Sequence, residues 1–129
     1  MTTRKQHLRD AFREAVFARD DYRCAVCGFQ SSKETADHDL DAHHITPREQ
    51  MPGGGYVVQN GVSLCAPERT GGKMAHGCHY KAESVLAKIA EGYGPEDEHS
   101  LWYDMSPQSL YRKIGSSFAA AYEASTYLP

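Results

Sequence analysis

Histidine, carboxylate and cysteine side chains are concentrated in one stretch of this 129-residue chain. His43 and His44 are adjacent, and His79 precedes Glu83 by four residues. Imidazoles combined with a carboxylate suit a cation at an open, catalytic position, whereas four thiolates suit a closed structural zinc site. The sequence therefore indicates two different metal sites, the second formed by four cysteines: Cys24, Cys27, Cys65 and Cys78.

The cysteine spacing favours bound zinc over disulfides. Cys24 and Cys27 form a Cys-x2-Cys pair typical of a zinc knuckle, and the other two cysteines stand alone. Residues 1–10 are polar and charged, without the apolar centre of a secretory signal, so we expect a cytoplasmic protein, in which cysteines more often bind metal. Two disulfides are the alternative. The longest apolar runs are too short to span a bilayer, so we expect no membrane segment.

The charge of the chain is unevenly distributed. The formal net charge is −3 at pH 7 with neutral histidines, which is unusual for a protein that binds nucleic acid. Residues 1–30 carry six basic and four acidic side chains, whereas residues 84–129 carry three basic and six acidic ones. The basic residues of the first segment serve either solubility or contacts with phosphates.

Two amphipathic helices and two short strands are predicted to position the metal-binding groups. Apolar residues at three- and four-residue steps predict helices from about Arg4 to Arg19 and over residues 79–90. Residues 40–46, which precede Pro47, and residues 56–64 are predicted as strands. The length corresponds to one domain, small enough that a metal would add considerably to its stability.

Loops are predicted between these elements, and a further helix near the C-terminus. Residues 29–39, 48–55 and 65–77 are predicted as loops, and residues 91–105 as an acidic connector. A last helix is predicted to begin at Ser106, with Pro107 in its first turn. Its helical spacing predicts one buried face, formed by Leu110, Tyr111, Ile114, Phe118 and Tyr122.

The predicted elements give the two adjacent histidines different roles. Neighbours on a strand point to opposite faces, so His43 and His44 cannot both bind one ion on a regular strand. His79 and Glu83 lie on consecutive turns of one helix face and can converge with one of them. The other imidazole would remain free to take a proton from water, while the cation polarises a phosphodiester.

Four short motifs resemble the HNH endonucleases, also called ββα-metal or His-Me finger nucleases. The motifs are Cys24-Ala-Val-Cys27, Leu-Asp-Ala-His43-His44-Ile-Thr-Pro, Gln-Asn60-Gly-Val-Ser-Leu-Cys65 and Cys78-His79-Tyr-Lys-Ala-Glu83. They lie within about sixty residues of the chain. The resemblance implies an α+β fold, in which a small ββα-metal core is stapled by a structural zinc and flanked by N- and C-terminal helices.

The resemblance also implies a role for each matched residue. In the family the first histidine of the doublet is a metal ligand and the second is the general base, which correspond to His43 and His44. Asn60 matches the asparagine that orients the strands and the loop aiming the base, through backbone hydrogen bonds. His79 matches a further metal ligand, and Glu83 stands where some members have another helical ligand. The four cysteines match the zinc-binding subset of the family.

The segment between the third and fourth cysteines departs from the family. Twelve residues separate these cysteines, where many members have a short Cys-x2-Cys-His ending. The insertion leaves His76 as an alternative to His79 at the catalytic metal. Arg69 and Lys73 lie beside glycines in this insertion, and we expect them to contact substrate phosphates.

By this resemblance the chain is expected to be a metal-dependent endonuclease that hydrolyses DNA with low sequence specificity, in a phage, mobile-element or defence setting. Mg²⁺, or a similar ion such as Mn²⁺ or Ni²⁺, would serve catalysis, and Zn²⁺ would serve the structure. We expect one nuclease domain over residues 1–129: an N-terminal helix in 1–23, the zinc-stapled core in 24–90, and a connector and C-terminal helix in 91–129.

The sequence leaves three points open. Cleavage of both DNA strands would need a homodimer or a partner protein. An enzyme of the same fold could act on RNA or on structured or modified DNA. A non-catalytic zinc module that binds nucleic acid or protein is the other alternative, although such a module would need none of His44, Asn60 or Glu83.

Overall fold

A two-stranded antiparallel sheet with helices packed around it forms the centre of the protein. The computed structural model describes residues 3–66, 77–94 and 100–129. Strand β1 is Leu40–His44 and strand β2 is Gly61–Cys65. Leu40 pairs with Cys65, and His44 pairs with Gly61. The fold is therefore of the mixed α and β class expected from the sequence.

Helix α1, Arg4–Arg19, has the bounds that the apolar spacing predicts. Thr3 caps its N-terminus: the hydroxyl accepts from Gln6 N at 3.1 Å, and the Gln6 side chain accepts from Thr3 N at 2.9 Å. The helix buries three residues against the core: Phe12, Val16 and Phe17.

Helix α1 packs directly on the backbone of β2. A Cβ atom added at Gly61 would lie 2.4 Å from Val16 Cγ2 and 2.7 Å from Phe12 Cζ. Arg19, at the end of α1, donates to the Val58 and Gly61 carbonyls at 2.6 Å each. The guanidinium of Arg19 thus bridges α1 to β2 and is engaged in the fold.

The strands are shorter than predicted because the backbone after His44 pairs with a turn that contains Asn60. The prediction placed strands over 40–46 and 56–64, but β1 ends at His44 and β2 begins only at Gly61. Val58–Asn60 forms a 3₁₀ turn, and Ile45 N donates to the Asn60 carbonyl at 2.8 Å. The backbone beyond His44 is therefore held by this turn and does not continue the ladder.

Two of the predicted loops contain short helical elements. Helix α2, Ala36–Asp39, lies inside the segment predicted as a loop over 29–39, and Arg48–Gln50 and Pro52–Gly54 form 3₁₀ turns within 48–55. The loop predicted over 65–77 lies largely outside the described residues.

Helix α3, Cys78–Ala90, follows the predicted position, and β2 packs against both α1 and α3. Helix α4, Ser100–Met105, lies in the segment predicted as a connector. None of the helices in the described part of the chain is long and apolar enough to cross a membrane.

The single C-terminal helix predicted from Ser106 is wrong, because the structure has two. They are α5, Pro107–Lys113, capped by Ser106, and α6, Phe118–Ser125. Gly115 has φ +69°, a left-handed conformation that ends α5 and that glycine adopts at little cost. The break turns the second half of the predicted face outward: Tyr111 is 5% exposed, whereas Phe118 is 50% and Tyr122 is 44% exposed.

Gly61→Ala should destabilise the protein by about 1–3 kcal/mol, because the new methyl group overlaps with α1. Urea unfolding followed by circular dichroism would measure the loss. The double variant Gly61→Ala/Val16→Ala removes the nearest clashing atom, Val16 Cγ2, and we expect it to be more stable than the sum of the two single effects. Strict additivity would show that Val16 does not contact the backbone at position 61.

Candidate active site and metal centres

The four cysteine sulfurs form one cluster. Cys24 and Cys27 come from the turn after α1, Cys65 ends β2, and Cys78 begins α3. All four sulfurs lie within 4.8 Å of one another, and Cys27 Sγ and Cys65 Sγ are 3.7 Å apart. A tetrahedral zinc with bonds of about 2.3 Å separates its sulfurs by roughly 3.8 Å. The thiols are free of disulfides, and their arrangement is compatible with zinc.

The thiols also influence one another electrostatically. A hydrogen bond from Cys78 lowers the pKa of Cys24 to about 5, against the opposing effect of burial. The same pair, together with burial, raises the pKa of Cys78. The thiolate form of Cys24 is therefore favoured by its protein neighbours, without a metal ion. A zinc ion would favour the deprotonated form of all four cysteines.

A second cluster combines β1 with two turns of α3. Glu83 Oε1 lies 3.3 Å from His79 Nε2 and 3.7 Å from His43 Nδ1. The ligand atoms of these three side chains all lie within 4.8 Å of one another. Two imidazoles and one carboxylate thus converge from a strand and a helix, which the predicted elements allowed.

His43 has the environment of a metal ligand. The side chain is buried, and its Nε2 is one of two buried side-chain nitrogen or oxygen atoms without a hydrogen bond among the described residues. Burial and the nearby His79 lower the pKa of His43 to about 3, so the ring is neutral and keeps a lone pair. The other of these two atoms is Nε2 of His44, so this feature alone does not identify a metal ligand. His43 differs from His44 because its Nδ1 faces Glu83 at 3.7 Å, and a neutral ring can offer a lone pair to a cation held with His79 and Glu83.

Asp41 contacts this cluster through His79, a role that the sequence prediction missed. Asp41 Oδ2 lies 2.8 Å from His79 Nδ1, which leaves His79 Nε2 directed toward Glu83. Burial lowers the pKa of His79, but Asp41 and Glu83 outweigh it and the pKa is raised. Carboxylates commonly orient metal-binding histidines in this way. The only available signal was position, since Asp41 and His43 share a strand face.

His44 lies on the other face of β1, as the strand alternation predicted. Its ring stacks on Phe12 with centroids 4.6 Å apart and meets the Tyr56 ring edge-on at 4.7 Å. Burial, followed by the charge of Arg48, lowers the pKa of His44 to about 4. The imidazole is therefore neutral near pH 7 and can accept a proton.

Asn60 fixes the backbone that follows His44. Its side chain is completely buried, and all four of its hydrogen-bonding positions are used. Oδ1 accepts from Thr46 N at 3.0 Å and from the Tyr111 hydroxyl at 2.7 Å. Nδ2 donates to the carbonyls of Thr46 at 3.1 Å and Gly55 at 3.2 Å. The amide thus holds both backbone groups of the residue two positions beyond His44.

Gly55 and Tyr111 complete this network. Gly55 has φ +68°, and an added Cβ would lie 2.7 Å from Asn60 Nδ2, so only glycine fits at this contact. The hydroxyl of Tyr111 also lies 2.6 Å from Thr46 Oγ1. The helical spacing predicted Tyr111 as a core residue, but not its hydrogen bonds to the segment between β1 and β2.

One open groove of about 1190 Å³ brings the histidines together with basic side chains. Both faces of β1 reach it, because His43 and His44 line it along with His79 and Glu83. Four arginines also line the groove: Arg9, Arg13, Arg48 and Arg112. Arg48 and Arg112 were not among the predicted substrate contacts. The predicted contacts Arg69 and Lys73, and the alternative ligand His76, lie outside the described residues.

The family model for HNH endonuclease matches residues 24–67, about a third of the 129-residue chain. The matched segment contains the histidine doublet, Asn60 and the first three cysteines, and it agrees with the resemblance that the motifs suggested. The match indicates a nuclease-type function. No curated protein and no solved structure matches the chain.

Cys24→Ser should lower the zinc content and the melting temperature, because it removes one of four ligands from the cluster. Elemental analysis of purified protein and a thermal melt would measure both. Ser31→Ala, a change outside the cluster, serves as the control and should retain its zinc. Wild-type protein purified without zinc at neutral pH would contradict the assignment.

Asn60→Asp should destabilise the protein, since the shape is kept while the Thr46 and Gly55 carbonyls lose their donor. Each uncompensated buried acceptor costs about 1–3 kcal/mol. Urea unfolding would measure the change, with Gln50→Glu as the matched amide-to-carboxylate control at an exposed position. Equal stability of the two variants would show that the network is unimportant.

Proposed function

We propose that this chain is a metal-dependent DNA endonuclease that hydrolyses phosphodiester bonds, with residues 1–129 acting as one nuclease domain. The observation that carries the proposal is the juxtaposition along β1. His44, a neutral imidazole, directly follows His43, which belongs to the three-ligand cluster, and both histidines line one groove that four arginines also line. The family match over residues 24–67 supports the same conclusion.

His44 is the general base in this proposal. Its pKa of about 4 keeps the ring neutral, and the Phe12 and Tyr56 rings fix its orientation. The free imidazole removes a proton from the attacking water. Asn60 is a positioning residue, because it holds the backbone after His44 and is itself buried away from the groove.

His43, His79 and Glu83 would hold the catalytic ion, and Asp41 orients His79. When bound, Mg²⁺ or a similar divalent ion such as Mn²⁺ or Ni²⁺ supplies electrostatic stabilisation of the charge that develops on the phosphate and the leaving oxygen. The four cysteines would hold a structural Zn²⁺ at a separate cluster.

The groove arginines bind the phosphate backbone. Arg48 lies near His44 and donates to the Tyr56 hydroxyl at 3.1 Å, so it is held close to the base. Arg13 is shared between Asp10 and Asp37 at 2.8 and 3.0 Å, which keeps its position but reduces its free charge. Contacts of this type give affinity without reading bases, so we propose low sequence specificity.

His44→Ala should lower plasmid cleavage by about 10²- to 10⁴-fold, the usual effect of losing a general base. Nicking of supercoiled plasmid would be measured across Mg²⁺, Mn²⁺, Ni²⁺ and EDTA, with single-stranded DNA and RNA as further substrates. His7→Ala, at an exposed position on α1, is the matched control and should cleave like wild type.

The zinc content and melting curve of His44→Ala would show whether the variant is folded. Unchanged nicking by this variant would refute its role as the base. Binding of DNA without cleavage under every metal would favour the non-catalytic zinc module.

A further inference from the structure

Phe118 exposes an aromatic face inside the groove that the histidines line. Its side chain is 50% exposed and contributes to the groove wall. Tyr122, one turn further along α6, is 44% exposed, and the two ring centroids are 5.7 Å apart. Phe118 cannot form hydrogen bonds with water, so its exposed face is stabilised when another apolar or aromatic surface covers it.

The position of Phe118 is fixed relative to the proposed general base. Ser117 caps α6 by accepting from Ala120 N at 3.0 Å. Ser116 donates to the Gln59 carbonyl at 3.0 Å, and Gln59 directly precedes Asn60. The segment that carries Phe118 is therefore tied to the turn that holds the backbone beyond His44.

The groove combines two kinds of surface. Four arginines supply positive charge, while α3, α5 and α6 contribute apolar side chains that include Leu86, Ile89, Pro107 and Phe118. A continuous DNA duplex presents phosphates outward and keeps its bases stacked inside. An unpaired strand offers an anionic backbone and free base faces together, which matches both surfaces.

We infer that Phe118 is a stacking platform for an unpaired nucleobase, and that the groove binds single-stranded DNA or an unpaired segment within a duplex. The inference rests on the proposed function, since it names the form of DNA that enters the same groove. Tyr122 packs against the Phe118 ring with a centroid distance of 5.7 Å, and the arginines that line the groove hold the phosphates of the bound strand.

The test measures binding in the His44→Ala background, so that the DNA stays intact. A short single-stranded oligonucleotide that contains 2-aminopurine is compared with the same strand in a duplex. Adding Phe118→Ala should weaken single-strand binding by about 5- to 150-fold, the range of base–aromatic stacking, and should abolish the quenching of 2-aminopurine fluorescence. Duplex binding should change much less, and Phe118→Trp should restore single-strand binding.

Tyr127→Ala is the matched control, because Tyr127 is an aromatic residue that is 81% exposed and does not line the groove. It should bind both DNAs as the parent does, and melting curves would confirm that all variants are folded. Equal weakening of single-strand and duplex binding by Phe118→Ala would overturn the inference. So would a strong preference for single-stranded RNA, or a wild-type dimer that Phe118→Ala dissociates, since a second copy would then cover the ring.

The two proposals fail in different ways. If single-strand binding depends on Phe118 but no substrate is cleaved under any metal, the nuclease assignment fails and the stacking platform stands. If plasmid is nicked but Phe118→Ala binds single-stranded DNA like its parent, the platform fails and the nuclease assignment stands.

Discussion

The buried amide of Asn60 is the constraint on which the site depends. An uncharged amide with no access to water is tolerated only when its donors and acceptor positions are all used, and here they are. Its partners include both backbone groups of Thr46, so the chain beyond β1 can follow one path. His44 is the last residue of β1, two positions before Thr46. The fixed path of the backbone therefore also constrains the orientation of His44.

The two candidate metal sites are connected through neighbouring residues. Cys78 belongs to the thiol cluster, and the next residue, His79, belongs to the second cluster. The thiol cluster also contains Cys65 at the end of β2, so zinc binding would fix the start of α3 against the sheet. A zinc ion at the thiol cluster would thereby help to set the distance between His79 and His43 at the second cluster.

The sequence predicted the elements and groups that depend on local pattern. Periodicity placed α1 with its observed bounds, and strand alternation placed the two adjacent histidines on different faces. Asp41 and Tyr111 were missed because their partners lie 38 and 51 residues away, and no local pattern encodes such contacts. Phe118 was assigned to a buried face because the break at Gly115 was not recognised in an otherwise helical spacing.

Residues beyond the family match contribute to the arrangement of the proposed base. Tyr111 reaches the Asn60 amide from α5, and Ser116 reaches the carbonyl of Gln59 from the turn that precedes α6. Both hydrogen bonds end on the 3₁₀ turn that holds the backbone after His44. A nucleotide stacked on Phe118 would therefore be held by the same hydrogen-bonded unit as the proposed general base. One hydrogen-bond network would then set both the position of the bound DNA strand and the position of the His44 imidazole. A strand stacked on Phe118 would therefore present the same phosphodiester to His44 each time it binds.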